Sequence, residues 1–216
     1  MGFLPTVPYT AILANGDFPQ APEPLTALRK ARRIVCCDGA ADVLAARAPD
    51  LSAAWVVGDL DSLSAETRAK YAPRLRKVPD QETNDLAKTF AFCLSRRWLD
   101  VVFLGISGKR EDHTLGNLSL LVDFARAARI TALTDHGIFT PLLSSAHFVS
   151  FPGQQVSIFS FEPGLRVYAE GLKWPLDQVP FTRWWQAALN ESLGDSFRLT
   201  FEGGPLLVFQ TYAGKQ

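Results

Sequence analysis

The chain changes rhythm once, near residue 136, and that change limits what it can fold into. Before it, short apolar runs alternate with stretches of helical period. Tyr9 to Leu13, Ile34 to Cys37, Trp55 to Val57, Val101 to Leu104 and Ile130 to Leu133 read as strands. Between them lie Pro24 to Arg33, Ala40 to Arg47, Ala65 to Tyr71, Asn84 to Arg97 and, before the last strand, His113 to Ala128. In Asn84 to Arg97 the apolar residues Leu86, Phe90 and Leu94 recur every four positions, which lines one face of a helix. Leu115, Leu118, Leu121 and Val122 do the same farther along. Strands separated by helices predict an α/β domain with a doubly wound, mostly parallel sheet.

After residue 136 the helical period is lost. Phe148 to Phe151, Gln155 to Phe161, Leu165 to Tyr168, Ser196 to Phe201 and Leu206 to Tyr212 are short strands. Pro152-Gly153, Pro163-Gly164 and Gly203-Gly204-Pro205 punctuate them, the pattern of a small antiparallel all-β sandwich or barrel. The expected division is an α/β domain over residues 1–138 and a β-sandwich over 139–216, with the junction inside 134–147.

Composition narrows the functional classes. Lys plus Arg and Asp plus Glu number 22 each, so no net field selects nucleic acid or an anionic membrane. No apolar run approaches the ~18 residues of a membrane span, and residues 1–15 lack the pattern of a secretory signal. Adjacent Cys36 and Cys37 point to opposite faces of their strand, which suits neither a bridge nor a shared metal. With Cys93 they read as reduced core thiols of a cytoplasmic protein.

The chemistry gathers where strands end. In an open α/β sheet, ligands bind beyond the carboxyl ends of the strands. Ile34 to Cys37 runs into Asp38-Gly39-Ala40, and Trp55 to Val57 into Gly58-Asp59-Leu60-Asp61-Ser62. Lys77-Val78-Pro79 precedes Asp80-Gln81-Glu82-Thr83-Asn84-Asp85, and Val101 to Leu104 leads to Gly105 and on to Asp112-His113. Asp38, Asp59, Asp61, Asp80, Asp85 and Asp112 are thereby directed toward one edge of the sheet. Carboxylates converging without partners repel, so a cation belongs among them. All-oxygen ligation without a Cys or His cluster favours Mg²⁺ over zinc. Glycines 105 and 108, with Lys109 and Arg110 beside them, suit the approach of phosphates. Asp80 or Asp112 taken singly also suits a helix cap, and Lys88 an ion pair with Asp85 three residues before it. No P-loop or Rossmann glycine fingerprint is present.

Taken in order, these blocks resemble the thiamine pyrophosphokinase family. The likeness is carried by Asp-Gly-Ala-Ala-Asp at 38–42, Gly-Asp-Leu-Asp-Ser at 58–62, Asp-Gln-Glu-Thr-Asn-Asp-Leu-Ala-Lys at 80–88 and Gly-Lys-Arg-Glu-Asp-His-Thr-Leu-Gly-Asn-Leu at 108–118. Gly-Leu-Lys-Trp-Pro-Leu at 171–176, Asn190-Glu191 and Gly-Gly-Pro-Leu-Leu-Val at 203–208 extend it through the second domain. The resemblance implies transfer of pyrophosphate from ATP to the hydroxyl of thiamine, with Mg²⁺ as cofactor, in a homodimer with active sites between subunits. It implies Asp59, Asp61 and Asp85 as magnesium ligands, with Asp38 and Asp112 beside them. Gln81, Lys88, Lys109 and Asn117 fall in its nucleotide and phosphate region, Arg110 near the phosphates, and Trp174 and Asn190 in the segment that contacts thiamine. The chain departs from the family at Asn84, where Thr is usual, at Lys109, where Gly is usual, and at Leu189, where Ser is common. Trp174 suits either a cation–π platform for thiazolium or a core position; Trp184 and Trp185 suit core or dimer interface. The rival readings are a diphosphokinase for another alcohol, such as a hydroxymethylpterin, and a non-catalytic thiamine- or nucleotide-binding regulator.

Overall fold

The computed structural model describes residues 5–80, 82–177 and 180–214. Gln81, expected in the nucleotide region, lies outside the described residues. The chain divides into two compact units, and its last change from one to the other falls between Asp135 and His136.

The first unit takes in the described part of Leu4–Leu120 together with Ala127–Asp135. Its strands are β1 (Thr10–Leu13), β2 (Arg33–Cys37), β3 (Trp55–Gly58), β4 (Leu75–Lys77), β5 (Asp100–Leu104) and β6 (Arg129–Leu133). They lie in the order β6-β5-β1-β2-β3-β4, and every neighbouring pair is parallel. Helices α1 (Pro22–Lys30), α2 (Ala40–Arg47), α3 (Ala65–Tyr71), α4 (Asp85–Ser95) and α5 (Glu111–Phe124) connect them. The chain moves one way from β1 to β4, then returns to the far side of β1 for β5 and β6. Right-handed crossovers therefore put α1 to α3 on one face and α4 and α5 on the other. The order reverses between β1 and β5, the place where such sheets open a crevice for ligands.

Local chemistry explains these elements. Ile34, Val35, Cys36 and Cys37 are all buried, as expected of a parallel strand covered on both faces. The thiols of Cys36, Cys37 and Cys93 are unbridged. Burial raises all of them, Cys37 and Cys93 to about 12. Ser64 caps α3 by accepting the Thr67 N–H at 3.2 Å, and Asn84 caps α4 by accepting the Ala87 N–H at 2.9 Å. Helix α5 starts two residues before the expected His113, because Glu111 and Asp112 suit the positive end of a helix. Strand β4 is only three residues long and two of them are exposed, too brief to register as a hydrophobic run.

The second unit takes in Leu121–Arg126 and the described part of His136–Gln216. Its strands are β7 (Gly137–Leu142), β8 (Ala146–Val149), β9 (Gln154–Phe159), β10 (Val167–Glu170), β11 (Ala187–Glu191), β12 (Ser196–Phe201) and β13 (Leu206–Gly214). Strand β13 pairs with β7 and β9, and β9 with β11, all antiparallel. Strands β10, β12 and β8 form a separate antiparallel sheet. Val156, Ile158, Leu206 and Val208 from the first group share one core with Val167, Phe197, Leu199 and Phe201 from the other. Inward and outward residues alternate along β10 and β12, as in a sandwich with one wet face. Sequence reading passed over β7, which carries Pro141 inside the expected junction, and β11, whose period is broken by a bulge.

No described helix is long and apolar enough to cross a membrane.

Candidate active site

Asp38 is the first residue beyond β2, and its own N–H extends the sheet by bonding Val57 O at 2.9 Å. Its backbone adopts φ 35°, a strained conformation for a residue with a side chain. That geometry buries the carboxylate: Asp38 is 2% exposed. Oδ2 accepts the Ser62 N–H at 3.3 Å, while Oδ1 is buried without a hydrogen-bond partner. A buried carboxylate oxygen left in this state is costly unless something positive reaches it.

The next strand supplies its neighbours. Beyond Gly58, Leu60 takes φ 67° and is itself buried, so the apolar side chain anchors a tight loop that holds Asp59 and Asp61 on either side. The Asp61 N–H bonds Asp59 Oδ1 at 3.3 Å, and the Ser62 hydroxyl bonds Asp61 Oδ1 at 3.1 Å. Asp38, Asp59 and Asp61 each offer an oxygen within 4.8 Å of the others. Gly58 makes this approach possible: a Cβ there would stand 2.8 Å from the Asp38 Cβ and 3.4 Å from Asp85 Oδ1.

Asp85 opens α4, and Lys88 one turn later pairs with its Oδ1 at 3.2 Å. The Lys88 side chain is only 5% exposed, so this cation is held in the interior beside the acids. The charges act on one another as electrostatics requires. Burial pushes the Asp38 carboxyl up to about 6; the Ser62 N–H opposes the rise, and the Asp85 and Asp59 charges add to it. Asp59 is held low, chiefly by the Asp61 N–H, with the Lys88 charge assisting. Among the described residues the geometric trio is thus Asp38, Asp59 and Asp61, with Asp85 adjoining through Gly58 and tied to Lys88.

Other expected residues are engaged differently. Asp80 accepts the Glu82 N–H at 2.9 Å and the Thr83 hydroxyl, which lowers its pKa and closes the turn before α4. Arg110 and Asp112 pair with each other on the surface, Nε to Oδ1 at 3.0 Å, and the guanidinium holds the carboxyl low. Lys109, in left-handed backbone at φ 55°, reaches Asn15 Oδ1 at 3.0 Å. Asn117 donates to Ile106 O at 2.9 Å and accepts from Asn84 at 3.3 Å, which ties the cap of α4 to the loop after β5. Asn15 and Ser62 were not singled out in the sequence. Asn15 carries the same signal as the acids, a strand running straight into a polar, glycine-bearing turn.

The second unit holds a separate cavity of about 420 Å³. Trp174, Leu176, Phe181, Leu189 and Asn190 line it. Trp174 is 52% exposed, so its indole is a wall and not a core element.

Residues 25–133 match the family model of the thiamin pyrophosphokinase catalytic domain. Residues 137–209 match that of the thiamin pyrophosphokinase substrate-binding domain. The chain belongs to the thiamin pyrophosphokinase family. It is 27% identical over 178 residues to thiamine pyrophosphokinase 1 of Oryza sativa subsp. japonica, covering 69% of this chain and 67% of that protein. It is 32% identical over 102 residues to thiamin pyrophosphokinase 1 of Caenorhabditis elegans, covering 44% and 42%. The match thus spans less than half of the nematode protein. The fold is shared with a thiamin pyrophosphokinase family protein from Enterococcus faecalis, at a TM-score of 0.80 and 22% identity over 95% of this chain and 99% of that one. Yeast thiamin pyrophosphokinase superposes with a TM-score of 0.78 at 18% identity, over 96% and 87%. In family terms the acid cluster lies within the catalytic match and the Trp174 cavity within the substrate-binding match.

Proposed function

We propose that this chain transfers a pyrophosphate group from ATP to the hydroxyl of thiamine, giving thiamine diphosphate and AMP. The observation that carries the reading is the buried, unpartnered Oδ1 of Asp38 beside Asp59 and Asp61. An all-carboxylate donor set with an orphaned oxygen fits a hard divalent cation, Mg²⁺. Asp38, Asp59 and Asp61 would hold it, with Asp85 adjoining. When bound, such an ion neutralises phosphate charge and polarises phosphoryl oxygens.

The chain's own residues do the rest. The hydroxyl oxygen of thiamine attacks the β-phosphorus and gives up its proton to solvent, the bond to the oxygen shared with the α-phosphate breaks, and AMP leaves with that oxygen. There is little covalent work for the protein in such a transfer, so positioning and charge complementarity carry it. Lys88 orients Asp85 through their 3.2 Å ion pair; Lys109 and Arg110 bring positive charge to the loop after β5. Asn117 and Asn84 brace that loop against α4. In the second unit, the exposed π face of Trp174 suits a cationic thiazolium ring.

Neither the pterin diphosphokinase nor the non-catalytic regulator is favoured, because both matched models carry the thiamin pyrophosphokinase description. The homodimer reading is supported by an apolar face on the second unit, where Phe161 stacks on Trp184 at 6.0 Å and Trp185 stands half exposed. The cytoplasmic reading is supported by three unbridged buried thiols.

The test measures AMP formed from ATP and Mg²⁺ with and without thiamine. Thiamine-dependent AMP and thiamine diphosphate, absent with EDTA and lost in Asp59→Asn, are the expected result. No thiamine-dependent AMP from folded native protein overturns the assignment.

A further inference from the structure

Trp174 is held in place by a device that neither the family likeness nor the cavity itself explains. Between Ala187 and Asn190 the pairing of β11 with β9 slips. Leu189, a residue 77% exposed, absorbs the slip in left-handed backbone at φ 59°, with its N–H on Ser157 Oγ at 3.0 Å. Bulges of this kind re-aim the neighbouring side chain. Here the re-aimed residue is Asn190, which is 3% exposed.

Its amide is nearly saturated by main chain. Nδ2 donates to Trp174 O at 2.7 Å, while Oδ1 accepts the Trp174 N–H at 3.1 Å and the Glu191 N–H at 2.8 Å. Both acceptor positions and one of two N–H groups are therefore spent inside the protein. The surrounding pairing shows why. Residues 171–173 run beside 191–193 through the Leu172–Ser192 bridge, with Lys173 N–H on Glu191 O and Leu193 N–H on Gly171 O, both at 2.9 Å. One residue farther on, the main chain of Asn190 is already in register with Val156 of β9. Its side chain supplies the next rung in place of the backbone. The Lys173–Glu191 ion pair at 3.2 Å reinforces the same rung, and the Lys173 ammonium covers the Trp174 ring at 5.0 Å.

We propose that Asn190 is a positioning residue that locks the Trp174 backbone, so that the indole stands as a preset wall of the cavity and Asn190 acts on thiamine only through it. The proposal rests on reading this cavity as the thiamine site, and two measurements separate the claims. The first is amide hydrogen exchange at Trp174 in the ligand-free protein. Asn190→Ala is expected to speed it about tenfold, the equivalent of one lost hydrogen bond. Asn190→Asp, which keeps the acceptors and loses the donor, is expected to give a smaller rise and serves if the alanine variant does not fold. An unchanged rate overturns the lock, whatever the cavity binds.

The second measurement is steady-state KM for thiamine and for ATP in Trp174→Ala, Asn190→Ala and the double variant. Each single change is expected to raise the thiamine KM about tenfold and leave the ATP KM alone. The double variant is expected to be no worse than Trp174→Ala. Multiplying effects mean that Asn190 touches thiamine itself, and overturn the proposal. A thiamine KM unmoved by Trp174→Ala overturns the cavity reading, and with it the action on thiamine, while the exchange result still decides the lock.

Discussion

The turn after β2 leaves a carboxylate oxygen of Asp38 buried and unpartnered, whereas the bulge in β11 gives the amide of Asn190 three main-chain bonds. Both are buried polar groups tied to positive-φ backbone at a non-glycine residue, Asp38 itself in one case and Leu189 beside Asn190 in the other, and both lie next to a proposed ligand site. The first is electrostatically incomplete: burial, with the nearby Asp85 and Asp59 charges adding to it, raises the Asp38 carboxyl, and the crowded acids call for a cation. The second is complete before any ligand arrives and serves to hold an aromatic wall. One half of the molecule therefore stores an unmet charge requirement, and the other stores rigidity. Binding energy is released at the first and is not lost to ordering at the second.

The comparison breaks most sharply at Asp59. Asp59→Asn is expected to lower kcat by about 10²–10³-fold, as removal of a key electrostatic group does, with unfolding midpoint nearly unchanged; an active variant means that the trio is not the metal site. Asp38 gives the next effect, and its sign follows from the raised pKa. A carboxyl that titrates near 6 when folded and near 4 when unfolded adds nothing adverse at pH 3, then weakens the fold as pH rises through that window. Metal-free protein is expected to lose roughly 3 kcal/mol at most from this source by pH 7. Asp38→Asn should remove the loss and abolish stabilisation by Mg²⁺, both read from urea unfolding against pH.

Gly58→Ala is expected to cost about 1–3 kcal/mol, because its Cβ would meet the Asp38 Cβ at 2.8 Å. Mg²⁺ should recover less of the stability in this variant than in the native protein, as seen by thermal unfolding with and without the ion. The smallest change belongs to the other region. Leu189→Gly relieves a left-handed backbone and gives up an already exposed side chain, so it should raise stability by up to about 1 kcal/mol. A loss there would mean that Leu189 makes contacts that its 77% exposure conceals.

Much of the fold was legible in the sequence. Ala40–Arg47, Ala65–Tyr71 and Ser196–Phe201 are the elements that periodicity predicts, because caps, helical spacing and alternating burial act locally. Helix α4 is one residue shorter at its start, since Asn84 serves as its cap. What escaped were β7 and β11, which carry a proline or contain a bulge, so that neighbours and not composition make them strands, while β4 starts two residues before the candidate strand Lys77-Val78-Pro79 and shares only Lys77 with it. At the site, the strand-end acids stood out, but their division of labour did not. Asp80 proves to brace a turn, Asp112 to pair with Arg110, and Asp38 to stand within reach of Asp59 and Asp61.

By itself the sequence determined the two rhythms, the run of acids at strand ends and the family, since each is written in local order along the chain. The tertiary structure alone decided which carboxylate is buried without a partner and that Asn190 spends its amide on Trp174. Those outcomes depend on distances between residues far apart in the chain: Asp38 meets Ser62 across two parallel strands, and Asn190 meets Trp174 across 16 positions. No pattern within either segment encodes the through-space pairing that sets a buried group's hydrogen bonds and its charge.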